Sequence, residues 1–203
     1  MQNPSLARKA GIVGIIGSVL WVIAVLMQHS LNLYELDGSA LSIAHESIFL
    51  TALTGVAVGF LGLIPGGAVA STFGKTAVIL YVVGRGLIIF GGLAGLLLQG
   101  QDSPIFLVFP IGGTLGDLAA LLIGIAVIRA KRWTGWQRWM PMVHFLVVFF
   151  AVSLPLGLGL TPDGPGTAGE LVMGAMWLGV ALAVFTSAAS LRSYAADPQP
   201  SQQ

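Results

Sequence analysis

Two charged side chains stand alone deep inside apolar runs, Arg85 in one and Asp117 in the next. Charges in such places either lock helices together or line a path for ions or protons. A lone charge at that depth costs at least about 2.5 to 3.5 kcal/mol on insertion scales, so the two are expected to meet as an intramembrane ion pair. At 1.5 Å per residue, Arg85 lies about 15 Å inward of Lys75 and Asp117 about 18 Å inward of Arg129, nearly level in antiparallel helices. Gly84 and Gly86 flank the arginine and Gly116 precedes the aspartate, leaving space for the helices to approach. From the residues alone, a register-fixing role and a role in ion or proton movement carry equal weight.

A second group of chemistry-bearing residues, His29, His45, Glu46 and Glu170, falls at the ends of three apolar runs. Neutral imidazoles and carboxylates could bind a transition metal or relay protons there. His45-Glu46 lacks a second histidine four residues on and so misses the zinc-protease pattern. These four are therefore read as polar residues at a lipid–water boundary, and no tight metal site or cofactor is expected. His144 lies at the opposite end of its run and cannot share a site with His29. The chain has no cysteine, which removes disulfides and thiolate chemistry. No phosphate-binding glycine loop, nucleophile elbow or nucleotide fingerprint is present, so the reading leans away from an enzyme.

The elements that must carry these residues follow from composition. Hydrophobic residues make up 56% of the 203-residue chain and charged ones 8%, against roughly a quarter charged in soluble domains. Water is not the main solvent of such a chain, and the lipid bilayer is its expected surroundings. Apolar runs fall at about Gly11 to Met27, Ser47 to Ile64, Thr76 to Leu98, Pro104 to Ile128, Met140 to Leu160 and Glu170 to Leu191. Each can cross a hydrocarbon core about 30 Å thick as a helix. The expected fold class is all-α, a polytopic transmembrane bundle of six helices over 1–195, with 196–203 a disordered tail. Arg8 and Lys9 before the first run resemble the start of a signal peptide, but no cleavage site closes that run before Gln28, so it is read as a retained span.

Orientation follows from the cations. Arg8, Lys9, Lys75, Arg129, Lys131, Arg132, Arg138 and Arg192 share one side of the six-span arrangement, while Glu35, Asp37, Asp102 and Asp163 lie on the other. Lysine and arginine near span ends favour the cytoplasmic side, which predicts both termini inside and His29 to Glu46, Gly100 to Ser103 and Thr161 to Gly169 outside. A net charge of +1 without a basic face argues against nucleic acid as a partner. Between the fourth and fifth runs, Trp133, Trp136 and Trp139 recur every third residue beside Arg132 and Arg138. If helical, that stretch puts the indoles on one face as a cytoplasmic interfacial anchor.

The opening Ala7-Arg8-Lys9-Ala10-Gly11, the Arg132-Trp133-Thr134-Gly135-Trp136-Gln137-Arg138-Trp139-Met140-Pro141 connection and Gly169-Glu170 before a final span with Trp177 together resemble a known group. It is a domain-of-unknown-function family of six-helix bacterial integral membrane proteins common in high-GC genomes. The resemblance implies a six-helix fold in a bacterial cytoplasmic (inner) membrane, with no assigned activity and no functional residues to carry over.

The pairs Gly55/Gly59, Gly62/Gly66, Gly91/Gly95 and Gly112/Gly116 predict close packing among spans two, three and four, or homo-oligomerisation. Pro65-Gly66-Gly67 ends span two. Pro110-Ile111-Gly112-Gly113 divides an overlong run, so span four starts either near Pro104 or at Thr114, where Thr114 and Asp117 fit a capping pattern. Two functional classes fit: a small transporter or ion-conducting protein with Arg85 and Asp117 central, or a non-catalytic membrane subunit that binds a protein partner. The single opposed pair and the lack of an internal repeat weigh against transporters of known design.

Overall fold

The computed structural model describes residues 2–31, 39–98, 104–161 and 164–196. Six helices in it are long and apolar enough to cross a membrane: α1 (Pro4–Ser30), α2 (Ala40–Leu61), α3 (Thr72–Leu98), α4 (Val108–Ala130), α5 (Met140–Gly157) and α6 (Gly166–Ala196). No strand is present among the described residues. The acidic loop residues Glu35, Asp37, Asp102 and Asp163 lie outside the described residues, as does the tail read as disordered from residue 197 onward.

Helix ends are set by caps rather than by the ends of the apolar runs. The Asn3 carboxamide oxygen accepts from the Leu6 N–H at 3.0 Å and Pro4 follows at the first helical position, so α1 begins seven residues before its apolar run. The Ser39 hydroxyl accepts from the Ser42 N–H at 3.1 Å and starts α2 equally early. A short 3-10 turn, Pro104–Leu107, feeds directly into α4 at Val108. The late start at Thr114 is therefore overturned. Pro110 is the third residue of the helix, where the missing N–H would have had no intrahelical acceptor, so proline does not interrupt it. α4 ends at Lys131, which adopts the left-handed conformation with φ 52°. α5 carries a π-helical turn, Phe149–Ser153, immediately before Pro155, a residue that cannot donate to the helix ladder.

The six helices close into a ring in chain order, each packing on the next and α6 returning to α1. Contacts are densest where α1 meets α2 and α6, and where α3 meets α4; α5 bridges α4 and α6. Glycines line all three dense seams; between α1 and α6 a Cβ on Gly11 would stand 2.8 Å from the Phe185 nitrogen. A Cβ on Gly17 would stand 2.7 Å from the Ala52 carbonyl oxygen, and Gly14 and Gly59 face each other equally closely. Between α3 and α4, a Cβ on Gly84 would stand 2.7 Å from the Gly112 carbonyl oxygen and 2.9 Å from the Gly116 nitrogen. Gly55 and Gly59 thus serve α1, not α3 as the spacing alone predicts, because Gly14 and Gly17 present the complementary flat face.

One end of the ring gathers the N-terminus and two connections. The Asn3 N–H donates to the Pro65 carbonyl at 2.9 Å, and the Trp133 indole N–H donates to the Gly66 carbonyl at 3.3 Å. At the opposite end, the Trp21 indole N–H donates to the Glu170 carbonyl at 2.8 Å.

Gly17→Ala forces a methyl into backbone that cannot retreat, and it should lower stability in detergent by about 1 to 3 kcal/mol. A methyl on Gly86 would meet nothing within 4 Å, so Gly86→Ala should leave stability unchanged or raise it. Thermal unfolding of the two variants side by side checks both; equal behaviour would remove the glycine seam as the basis of the α1–α2 contact.

Candidate functional site at the centre of the ring

Tyr81 and Arg85 stand four residues apart on α3, hence on one face of it, and that face turns into the ring. Phe60 of α2, His144 of α5 and Trp177 of α6 meet them there. The Phe60 and Tyr81 rings stack with centroids 3.8 Å apart, and His144 stands edge-on to Phe60 at 5.3 Å. The Arg85 guanidinium carbon lies 4.9 Å from the Tyr81 ring centroid and 5.1 Å from that of Trp177. Trp21 of α1 packs edge-on against Trp177 at 4.7 Å. Arg85 is only 4% exposed, His144 and Trp177 1% each, and Tyr81 is fully enclosed.

The expected ion pair does not close: among the described residues, no contact within 4.0 Å joins Arg85 to Asp117. The aspartate is partly buried beside the Ser153 hydroxyl, which the π turn of α5 brings to it, and remains close enough for its charge to interact with the guanidinium. Aromatic rings take the place of the carboxylate. A desolvated cation–ring contact is worth about 2 kcal/mol, so two of them match the insertion penalty of about 2.5 to 3.5 kcal/mol that motivated a direct pair. Gly116 supplies the floor: a Cβ there would lie 3.4 Å from an Arg85 terminal nitrogen.

Several polar atoms in this cluster have no protein hydrogen-bond partner. They are the Tyr81 hydroxyl, Arg85 Nε, Trp177 Nε1 and both ring nitrogens of His144. The Tyr81 hydroxyl faces Arg85 and Trp177 without closing a hydrogen bond to either. A buried polar atom left alone costs about 1 to 3 kcal/mol, so a cluster of them is an expensive arrangement to hold inside a bundle. Arg85 and Asp117 stand out in the sequence; His144 reads there as a residue at the end of its run and Trp177 only as part of the last span, and Tyr81 and Ser153 do not stand out. The four-residue spacing of Tyr81 and Arg85 is the available signal; the others arrive from different helices and carry none.

The remaining expected sites divide. His29 Nε2 and Glu170 Oε2 pair at 3.1 Å, and His45 Nδ1 and Glu46 Oε1 lie 3.8 Å apart. These are two pairs, and among the described residues no three His, Cys, Asp or Glu side chains converge as metal ligands. The three tryptophans do not share a face. Trp136 and Trp139, three apart across a 3-10 turn (Gly135–Arg138) and its cap, are about half exposed, whereas Trp133 is buried. The cause is the left-handed Lys131 and the non-helical residues after it, which rotate Trp133 inward before the turn begins. Arg138 donates to the Ile128 carbonyl at 2.9 Å, capping the end of α4, and lies over Trp139; Arg132 stays exposed.

Arg85→Leu and Asp117→Leu should each destabilise the detergent-solubilised protein, and the double variant should recover part of the loss, with a coupling of about 0.5 to 3 kcal/mol. Thermal unfolding of the four proteins measures it. Strictly additive losses would place the two charges in separate environments.

No family model matches the chain, and neither a curated protein nor a solved structure does.

Proposed function

We propose that this multi-pass membrane protein is a small transporter or ion-conducting protein, with Arg85 and Asp117 in the central path. The observation that carries the reading is the buried guanidinium of Arg85, held by rings and lacking an ion-pair partner among the described residues. A purely structural arginine is expected to have its N–H groups satisfied by carbonyls or carboxylates; Arg138 donates from Nη2 to the Ile128 carbonyl although its Nε has no partner, whereas Arg85 is contacted by rings. Intramembrane ionisable residues with open valences mark ion and substrate pathways. The ring arrangement supports the same reading, because side chains of α2, α3, α5 and α6 meet at its centre and its less dense seams, α2–α3 and the two that flank α5, border that centre.

The reading includes a bacterial inner membrane with both termini in the cytoplasm. Exposed Trp136 and Trp139 with Arg132 then sit in the inner headgroup zone, where indoles and cations both favour the interface. Single cysteines at Ala40 and Thr72, both exposed positions in a chain that lacks cysteine, report the orientation. An impermeant thiol reagent applied to intact cells should label position 40 and spare position 72. Labelling of position 72 alone would invert the topology.

For activity, protein reconstituted into liposomes should pass protons, potassium or small anions down an imposed gradient faster than empty vesicles do. Arg85→Leu, if it still melts cooperatively, should reduce the rate at least about tenfold, the effect of roughly 1.4 kcal/mol on a barrier. Rates equal to empty vesicles for all three ion classes would favour the other class of function, a non-catalytic membrane subunit whose exposed tryptophan turn meets a protein partner.

A further inference from the structure

We propose that Tyr81, Arg85, Trp177 and His144 form a binding site for a small monovalent carboxylate at the centre of the ring. The inference rests on the transport reading only for its purpose; the site itself follows from the side chains. Three helices deliver hydrogen-bond donors to one place: the Tyr81 hydroxyl and Arg85 from α3, the Trp177 indole from α6 and the His144 ring from α5. Trp177 and Arg85 can only donate, whereas the tyrosine oxygen and one nitrogen of a neutral imidazole are the acceptors the four contribute. Donors exceed acceptors, and the atoms named above have no protein partner while being more than nine-tenths buried. The guest that balances such a set brings acceptors and no donors.

Charge and shape narrow the class. One full positive charge, that of Arg85, favours a single negative charge over two. The rings of Tyr81 and Trp177 lie against the guanidinium carbon, so its hydrogen-bonding capacity is left to the in-plane N–H edge. That edge matches the planar fork of a carboxylate better than it matches a spherical halide. Phe60, stacked on Tyr81, and Trp21, packed on Trp177, wall the cluster with apolar surface, which favours a small guest over a large one. Asp117 lies beside Ser153 and outside ion-pair distance of Arg85, so it does not occupy the guanidinium edge.

Acetate is the probe, followed by saturation-transfer NMR on the full chain in lipid nanodiscs, with chloride as competitor. Wild type should bind acetate, and equimolar chloride should displace little of it. Tyr81→Phe and Trp177→Phe each remove one donor while keeping an aromatic ring, and each should weaken binding about tenfold. Asp117→Asn removes the opposing charge and should tighten binding several-fold to about tenfold, a change that loss of packing would not produce. Cooperative melting of every variant is the control for folding, and the two phenylalanine variants stand in for each other if one fails it. No acetate binding by folded wild type overturns the proposal. So does weaker binding in Asp117→Asn, which would mark a cation site, or full displacement by equimolar chloride, which would mark a general anion site. Acetate binding without flux in liposomes would sink the transport reading alone, and flux of protons or potassium without acetate binding would sink this inference alone.

Discussion

A guanidinium inside an apolar ring is the constraint on which the rest of this structure turns. Removing such a charge from water without compensation would destabilise the bundle by more than any single apolar contact returns. The compensation found here is the π-face of Tyr81 and Trp177 rather than a carboxylate in contact. That choice has geometric consequences for every helix. Rings at about 5 Å from the cation require α3 and α6 to face each other across the centre, which α1, α2 and α5 must hold in place from both sides. Phe60 and Trp21 extend the aromatic packing outward to α2 and α1, so that five of the six helices contribute a ring to the cluster around Arg85 or stand next to one that does.

The close seams make that centre possible. In lipid, helices gain nothing by hiding apolar surface from each other, so proximity must come from surfaces flat enough for dense van der Waals contact. Gly14, Gly17, Gly55 and Gly59 supply such a surface between α1 and α2, and Gly84, Gly112 and Gly116 supply it between α3 and α4. The second seam lies directly behind Arg85. Its backbone approach leaves no room for side chains between α3 and α4 at that level, and so directs the long Arg85 side chain along Gly116 and inward. A seam made of larger residues would push α4 away and leave the guanidinium without its floor.

The six helices are legible in the sequence because each apolar run is long and the solvent demands internally bonded backbone. Their ends are less legible: Asn3 and Ser39 begin helices in polar sequence, which hydropathy does not register but capping chemistry does. Pro110 reads as a break because proline disrupts a helix interior, whereas it sits in the first turn, where no donor is lost. The tryptophan connection misleads for a related reason: a spacing of three predicts one face only while the backbone is helical, and Lys131 leaves the helix. For the site, Arg85 and Asp117 stand out because charge in an apolar run is rare. Tyr81, His144 and Trp177 do not, because aromatic and imidazole side chains in such runs are ordinary until three-dimensional packing brings their polar atoms together.

The gap between an expected ion pair and the observed ring cage bears on what the centre can do. A guanidinium locked to a carboxylate has its charge neutralised and its N–H edge occupied, and an arriving anion would have to compete with a tethered one. A guanidinium held by rings keeps both its charge and its edge, because cation–π attraction acts through the face. Asp117, which lies beside Ser153 and outside ion-pair distance, leaves that edge unoccupied. The charge of Arg85 stands directly against a glycine seam where the backbones of α3 and α4 already touch, so a guest bound as proposed would act on that seam. Helices in such contact transmit a small shift at one residue to the whole seam, since densely packed interfaces move as units rather than deform.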